Sequence, residues 1–149
     1  MIKHLALTTY LLARELVAPE KVDSWTEQVS LTSVWKPDVQ GLYLGDLEYT
    51  TNILLEEFGG DPARLMALIC GWLENNDDDR DGLPGVQFDV DLVDSGLKLF
   101  DVSIKLQFSE PQHLAEDPEG EIEAFGERWS FVPFELWTAE TGEVTSDGA

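Results

Sequence analysis

The chain has 149 residues, room for one domain with a real core, and its 43% hydrophobic and 10% aromatic content sets it apart from disordered chains. Thirty acidic side chains against nine basic ones give a formal net charge of −21, which argues against the Lys- and Arg-driven phosphate contacts of nucleic-acid binding and against anionic membrane surfaces. The single cysteine, Cys70, excludes an intramolecular disulfide and a four-cysteine zinc site, and no apolar run approaches the ~20 residues that span a bilayer.

Residues 2–17 carry Ile2, Leu5, Leu12 and Leu16 at helical spacing, with Lys3, Arg14 and Glu15 off that stripe, so the pattern predicts an amphipathic helix packed on the core and ended by Pro19. Thr8 and Thr9 interrupt the run and Arg14 and Glu15 stop it, which argues against a signal peptide and for a cytoplasmic protein. From Ser24 to Trp35 the period drops to two, a half-solvated antiparallel strand with Trp25 and Trp35 expected in the core.

A second strand follows over roughly Leu42 to Phe58, with Gly45 and Asp46 marking a bulge or break. The next helix is announced by its own chemistry: Asp61 can cap free amides and Pro62 fills the first helical position, where a missing donor does no harm. Leu65, Leu68, Ile69, Trp72 and Leu73 form its apolar stripe. Cys70 is expected to be a small buried hydrophobe, and Gly71, which weakens the helix by about 1 kcal/mol relative to Ala, a point of close packing.

The run Asp77 to Gly82 (DDDRDG) imitates the opening of a calcium loop through Asp77, Asp79 and Asp81. The imitation fails at its twelfth position, which is Phe88 where a bidentate Glu belongs, and Pro84 stands where the motif needs a helix. A solvated acidic loop explains it better. Gly85–Val93 and Leu97–Phe108 then alternate as two strands joined by the turn Asp94-Ser95-Gly96, with Asp89, Asp91 and Asp101 on the wet face. Neither histidine, His4 or His113, is near them in sequence, and no phosphate loop or nucleophile elbow occurs, so no catalytic residue, cofactor or metal is assigned.

Beyond Phe108 the chain turns acidic, with a turn at Asp117–Gly120. An apolar-aromatic segment comes next: Trp129, Phe131, Phe134, Leu136 and Trp137. This arm either closes the parent core or adds to a neighbouring subunit's sheet. The pattern gives an α+β chain with two helices packed on one face of a four-stranded, mostly antiparallel sheet. It divides into a core domain at 1–108, an acidic hairpin and aromatic arm at 109–138, and a polar, flexible tail at 139–149.

Tyr49, Asn52 and Ile53 in the second strand, Phe58, Gly60 and Asp61 at its turn, Trp72, Leu73 and Asn75 at the helix end, and the Phe88-to-Phe108 strand pair carry a resemblance. Together they resemble the tail completion protein R (GpR) family of contractile-tailed phages, with Tyr49, Asn52, Phe58, Asp61 and Trp72 as scaffold. The resemblance implies a tail-terminator-like virion protein, not an enzyme, that acts at the head-proximal end of the tail tube and sheath and joins the head-tail connector. It implies a hexameric ring assembled in the host cytoplasm, with DNA passing through the lumen. The interface candidates are then Trp129, Phe131, Phe134, Leu136 and Trp137. Two other readings stay open: a calcium-binding module on Asp77, Asp79 and Asp81, and an acidic adaptor that mimics DNA.

Overall fold

The computed structural model describes residues 1–39 and 41–133. In chain order they form helix α1 (Ile2–Ala13), a 3₁₀ turn at Pro19–Lys21, strands β1 (Val22–Pro37) and β2 (Leu42–Phe58), and helix α2 (Pro62–Asn76). Strands β3 (Gln87–Asp94), β4 (Leu99–Glu116), β5 (Ile122–Ala124) and β6 (Glu127–Phe131) complete the order.

The strands make one antiparallel sheet in the order β1-β2-β4-β6-β5, with β3 also paired to β4. This corrects the expected four-stranded, two-layer arrangement: the sheet has six strands and curls into a half-barrel. The reason lies in β4, which does not stop at Phe108 but runs on to Glu116. Its first half carries β3, and its last residues pair with β6, Leu114 opposite Phe131 and Glu116 opposite Trp129.

Bulges produce the curl. β1 shifts register between Glu27 and Ser30 and again between Ser33 and Lys36, with Gln28 and Trp35 in the left-handed region; β2 shifts at Tyr43/Gly45 and at Leu55/Phe58, with Glu57 left-handed. Each extra residue bends its strand and tightens the local twist. Gly45 is required at its bulge, because φ is +148° and a Cβ there would sit 2.2 Å from the Thr32 carbonyl. The bending brings Trp35 of β1 edge-to-face against Phe125, just past β5, with ring centroids 5.4 Å apart.

Two cores result. The larger one joins Leu7 and Leu11 of α1, Leu65, Ile69, Trp72 and Leu73 of α2, and sheet residues including Tyr49, Ile53, Leu55, Phe58, Val102, Ile104, Leu106 and Phe108. The smaller one joins Leu42, Leu44, Leu114 and Trp129, with Trp35, Ile122 and Ala124 packed against it. α2 starts as its sequence indicates, the Asp61 Oδ1 accepting the Ala63 N–H at 3.0 Å with Pro62 in the first turn.

Four local expectations are overturned. On α1 the buried residues are Lys3, Leu7 and Leu11, while Ile2, Leu5 and Leu12 face outward, Leu5 at 65% exposure. Cys70 is exposed, and Gly71 has nothing within 4 Å of where a Cβ would stand. Trp25, expected in the core, is 44% exposed.

Candidate functional site

The densest chemistry in the molecule surrounds Lys3. Although it sits on a mostly apolar helix, its side chain is 1% exposed. Its Nζ donates to Asp77 Oδ1 at 2.6 Å, to Asp79 Oδ2 at 2.9 Å and to the Ser109 carbonyl at 2.8 Å. Asp77, fully buried at its side chain, also accepts from Arg80 Nη1 through Oδ2 at 3.0 Å and from the Asp79 N–H at 3.3 Å. A buried ammonium is tolerable only when paired and hydrogen-bonded in this way.

Next along β4, the buried Glu110 does for α1 what no residue beside the helix does. Met1 supplies no side-chain cap. Instead Glu110 accepts the N–H of Ile2 at 3.2 Å and that of Lys3 at 2.8 Å, a carboxylate placed against a helix N-terminus. The Tyr49 hydroxyl donates to Glu110 Oε2, the oxygen that also accepts the Lys3 N–H, and accepts the His4 N–H at 3.0 Å. Burial, reinforced by the bond to Glu110, pushes the Tyr49 hydroxyl far above its ordinary pKa, so it stays a donor. His4 completes the seat of the helix: Nδ1 lies 3.1 Å from Thr51 Oγ1 and Nε2 3.0 Å from Ser24 Oγ. Its pKa is lowered by burial and then by the N-terminal charge, with Glu110 opposing.

These groups fix chain segments to one another and leave no open position for a reacting atom. Asp77 and Asp79, two of the three aspartates that open the calcium-like run, hold a lysine; Asp81 is exposed. Among the described residues no three His, Cys, Asp or Glu side chains are arranged to hold a metal ion.

The sheet also carries distinctive surface. β1 is an outer strand of the sheet, paired only to β2. From Gln28 to Val34 it is exposed at every residue, with Val29 at 47%, Leu31 at 43% and Val34 at 52%. The run Gln28–Trp35 (QVSLTSVW) contains no charged residue in a chain that is 26% charged. Elsewhere in the sheet, Asp91 of β3 lies opposite Asp101 of β4.

The scaffold candidates fall into place unevenly. Tyr49, Phe58 and Trp72 are buried in the larger core and Asp61 caps α2. Asn52 is partly buried, and its Nδ2 has no hydrogen-bond partner among the described residues. Of the interface candidates, Trp129 is buried in the smaller core, its Nε1 donating to the Ala124 carbonyl at 2.9 Å. Phe131 is 56% exposed, and Phe134, Leu136 and Trp137 lie outside the described residues. The sequence reading missed Lys3, Glu110 and His4. A lone lysine among apolar helix residues, in a chain with a dense aspartate run, is the one sign that could have pointed to the first.

The family model described as P2 phage tail completion protein R (GpR) matches residues 1–133, a span that takes in every described residue. The chain belongs to this family. The GpR kinship is extended by a relative in Haemophilus phage HP1 (strain HP1c1), described as an uncharacterized 19.2 kDa protein in the rep-hol intergenic region. It is 36% identical over 85 residues, 56% of this chain and 50% of the relative, so the match spans about half that protein's length. No solved structure gives a significant match. The chain is thus a phage tail-associated protein of the GpR family, and among its described residues no helix is long and apolar enough to cross a membrane.

Proposed function

We propose that this GpR-family chain completes a contractile tail. Copies form a ring at the head-proximal end of the tube and sheath and present the surface to which the head-tail connector binds. The observation that carries this reading is the family match over residues 1–133. The ring is hexameric, following the symmetry of the tail it closes. It is built by a head-to-tail contact in which each copy offers two different surfaces, the geometry that closes into a ring. The chemistry is all contact, without catalysis or cofactor. The charge of −21 gives the lumen a sign that repels phosphate, so DNA slides through without being held.

The test is genetic and visual. Virions made without this chain should accumulate as full heads beside unjoined tails, and a label on the chain in complete virions should fall at the head-proximal end of the tail. A chain absent from purified virions, or a label at the distal end, would refute the reading.

A further inference from the structure

We infer that the outward face of the helical layer, α1 beside α2, is an interface between two copies of this chain, packed about a two-fold axis so that α1 of each copy lies along α2 of the other. This goes beyond the ring reading: a two-fold contact closes on two copies and cannot build the ring, so either can fail without the other.

Contacts within one subunit define the layer. The Lys3 ammonium reaches Asp77, which caps the end of α2, at 2.6 Å, and the Tyr10 ring lies 6.3 Å from that of Trp72. As α1 advances α2 recedes, so the two helices run side by side and antiparallel over the sheet.

The outward side of α1 is built to meet another helix. Ile2, Leu5, Thr9 and Leu12 are all exposed and recur at intervals of three, four and three, the spacing of a helix-packing seam. The fold holds this seam outward against an easier alternative. Rolled half a turn, α1 would bury Ile2, Leu5 and Leu12 and return Lys3 to water. Instead Lys3 is buried and has to be met by Asp77, Asp79 and the Ser109 carbonyl, partners that a solvated lysine would not need.

α2 offers the opposite relief. Ala63, Ala67 and Gly71 lie along its exposed side, and nothing stands within 4 Å of where a Cβ on Gly71 would project. With Tyr10 abreast of Trp72, Leu12 is level with the turn between Ala67 and Gly71 of its own chain. A two-fold axis parallel to the helices keeps that level and sets Leu12 over the same turn of the other copy, a large side chain into a groove left by small ones.

Charge selects the occupant. The only charged residue of α1 is the buried Lys3, and the exposed charges of α2 are Arg64 and Glu74, one of each sign. In a chain of −21, this neutral layer lets a second copy approach without setting an excess of carboxylates against its own, and it offers a basic partner nothing to attract it. Helices of 12 and 15 residues are about 18 and 22 Å long, and side by side they cover roughly 20 by 20 Å. That is the lower end of specific interfaces, so the pair is weak and separates on dilution.

The experiment uses the full chain with Cys70→Ser, purified as Leu12→Cys alone, Gly71→Cys alone and both together. The two single variants, mixed and oxidised, should give a disulfide-linked dimer, and Leu12→Cys by itself none. The chain carrying both should stop at a covalent dimer, because a two-fold contact uses both halves at once. Gly71→Arg projects into open space in one subunit, so its circular dichroism spectrum should be kept, while the dimer dissociation constant from sedimentation equilibrium should rise ~10-fold or more through overpacking of the groove. No mixed dimer, or a dissociation constant that Gly71→Arg leaves unchanged, would overturn the inference. A ladder of higher multiples from the chain carrying both would show the same helices used head-to-tail, and a disulfide from Leu12→Cys alone would place α1 on α1; each also overturns it.

Discussion

Replacing Lys3 by methionine probes the node on which the N-terminal helix is seated. Methionine keeps much of the aliphatic bulk and removes the ammonium that is 2.6 Å from Asp77 Oδ1 and 2.8 Å from the Ser109 carbonyl. Both side chains of the Lys3–Asp77 pair are essentially inaccessible, 1% and 0% exposed, and stranding one partner of such a pair costs about 3–5 kcal/mol. Asp77 retains Arg80 at 3.0 Å, which sets the expectation at the lower end, about 3 kcal/mol. For a domain of this size that is a fall in Tm of about 6–12 °C. Urea unfolding of the wild type, Lys3→Met, Asp77→Asn and the double variant measures it. Because the stranded carboxylate causes most of the loss, neutralising it as well should give a double variant less destabilised than the sum of the singles. A Lys3→Met chain within about 0.5 kcal/mol of the wild type, or a strictly additive double variant, would refute the reasoning.

His4 carries a pH prediction. Its folded pKa is lowered from 6.5, so the unfolded chain takes up the proton first; the stability contributed by the neutral ring is complete above that value and is lost as pH falls toward the folded pKa. The difference in unfolding free energy between the wild type and His4→Gln should shrink from about pH 7.5 to about pH 5, and a flat difference would count against the assignment. Trp129→Ala empties the smaller core, a change that costs ~3–5 kcal/mol at a well-packed site. Hydrogen exchange should accelerate over 114–131 while Val102–Phe108 and the helices stay protected; uniform acceleration would argue against two separable cores. Millimolar calcium should leave the melting temperature unchanged, since Asp77 and Asp79 hold Lys3, and a rise that Asp79→Ala cancels would restore the calcium reading.

Local chemistry was legible in the sequence and long-range chemistry was not. Asp61 and Pro62 announce α2 because a cap acts within a few residues, and the β3–β4 hairpin shows its alternation because one face is wet. α1 misled because both of its faces are apolar. Periodicity favoured the stripe of Ile2, Leu5 and Leu12, but the helix turns the face of Lys3, Leu7 and Leu11 inward, held by Glu110, Asp77 and Asp79, which lie more than 70 residues away in sequence. Lysine is a surface residue on any scale, and only its distant carboxylates make it an interior one. The extra strands were hidden for a related reason. The acidic composition beyond Phe108 suggested that the strand ended there, yet β4 runs on through Pro111, a proline being tolerated where its nitrogen faces an unpaired edge.

The seating of α1 has a consequence for how the protein is made. The helix leaves the ribosome before the strands it packs on, but the carboxylate that receives its amides is Glu110, separated from Lys3 by 107 positions. At ordinary rates of synthesis the helix therefore waits about 5–20 s for its acceptor to be polymerised. Throughout that interval both of its apolar faces are uncovered, in a nascent chain that has not yet completed β4. A helix made before β4 is seated only after β4, so the interval before Glu110 emerges is when a chaperone has most to protect.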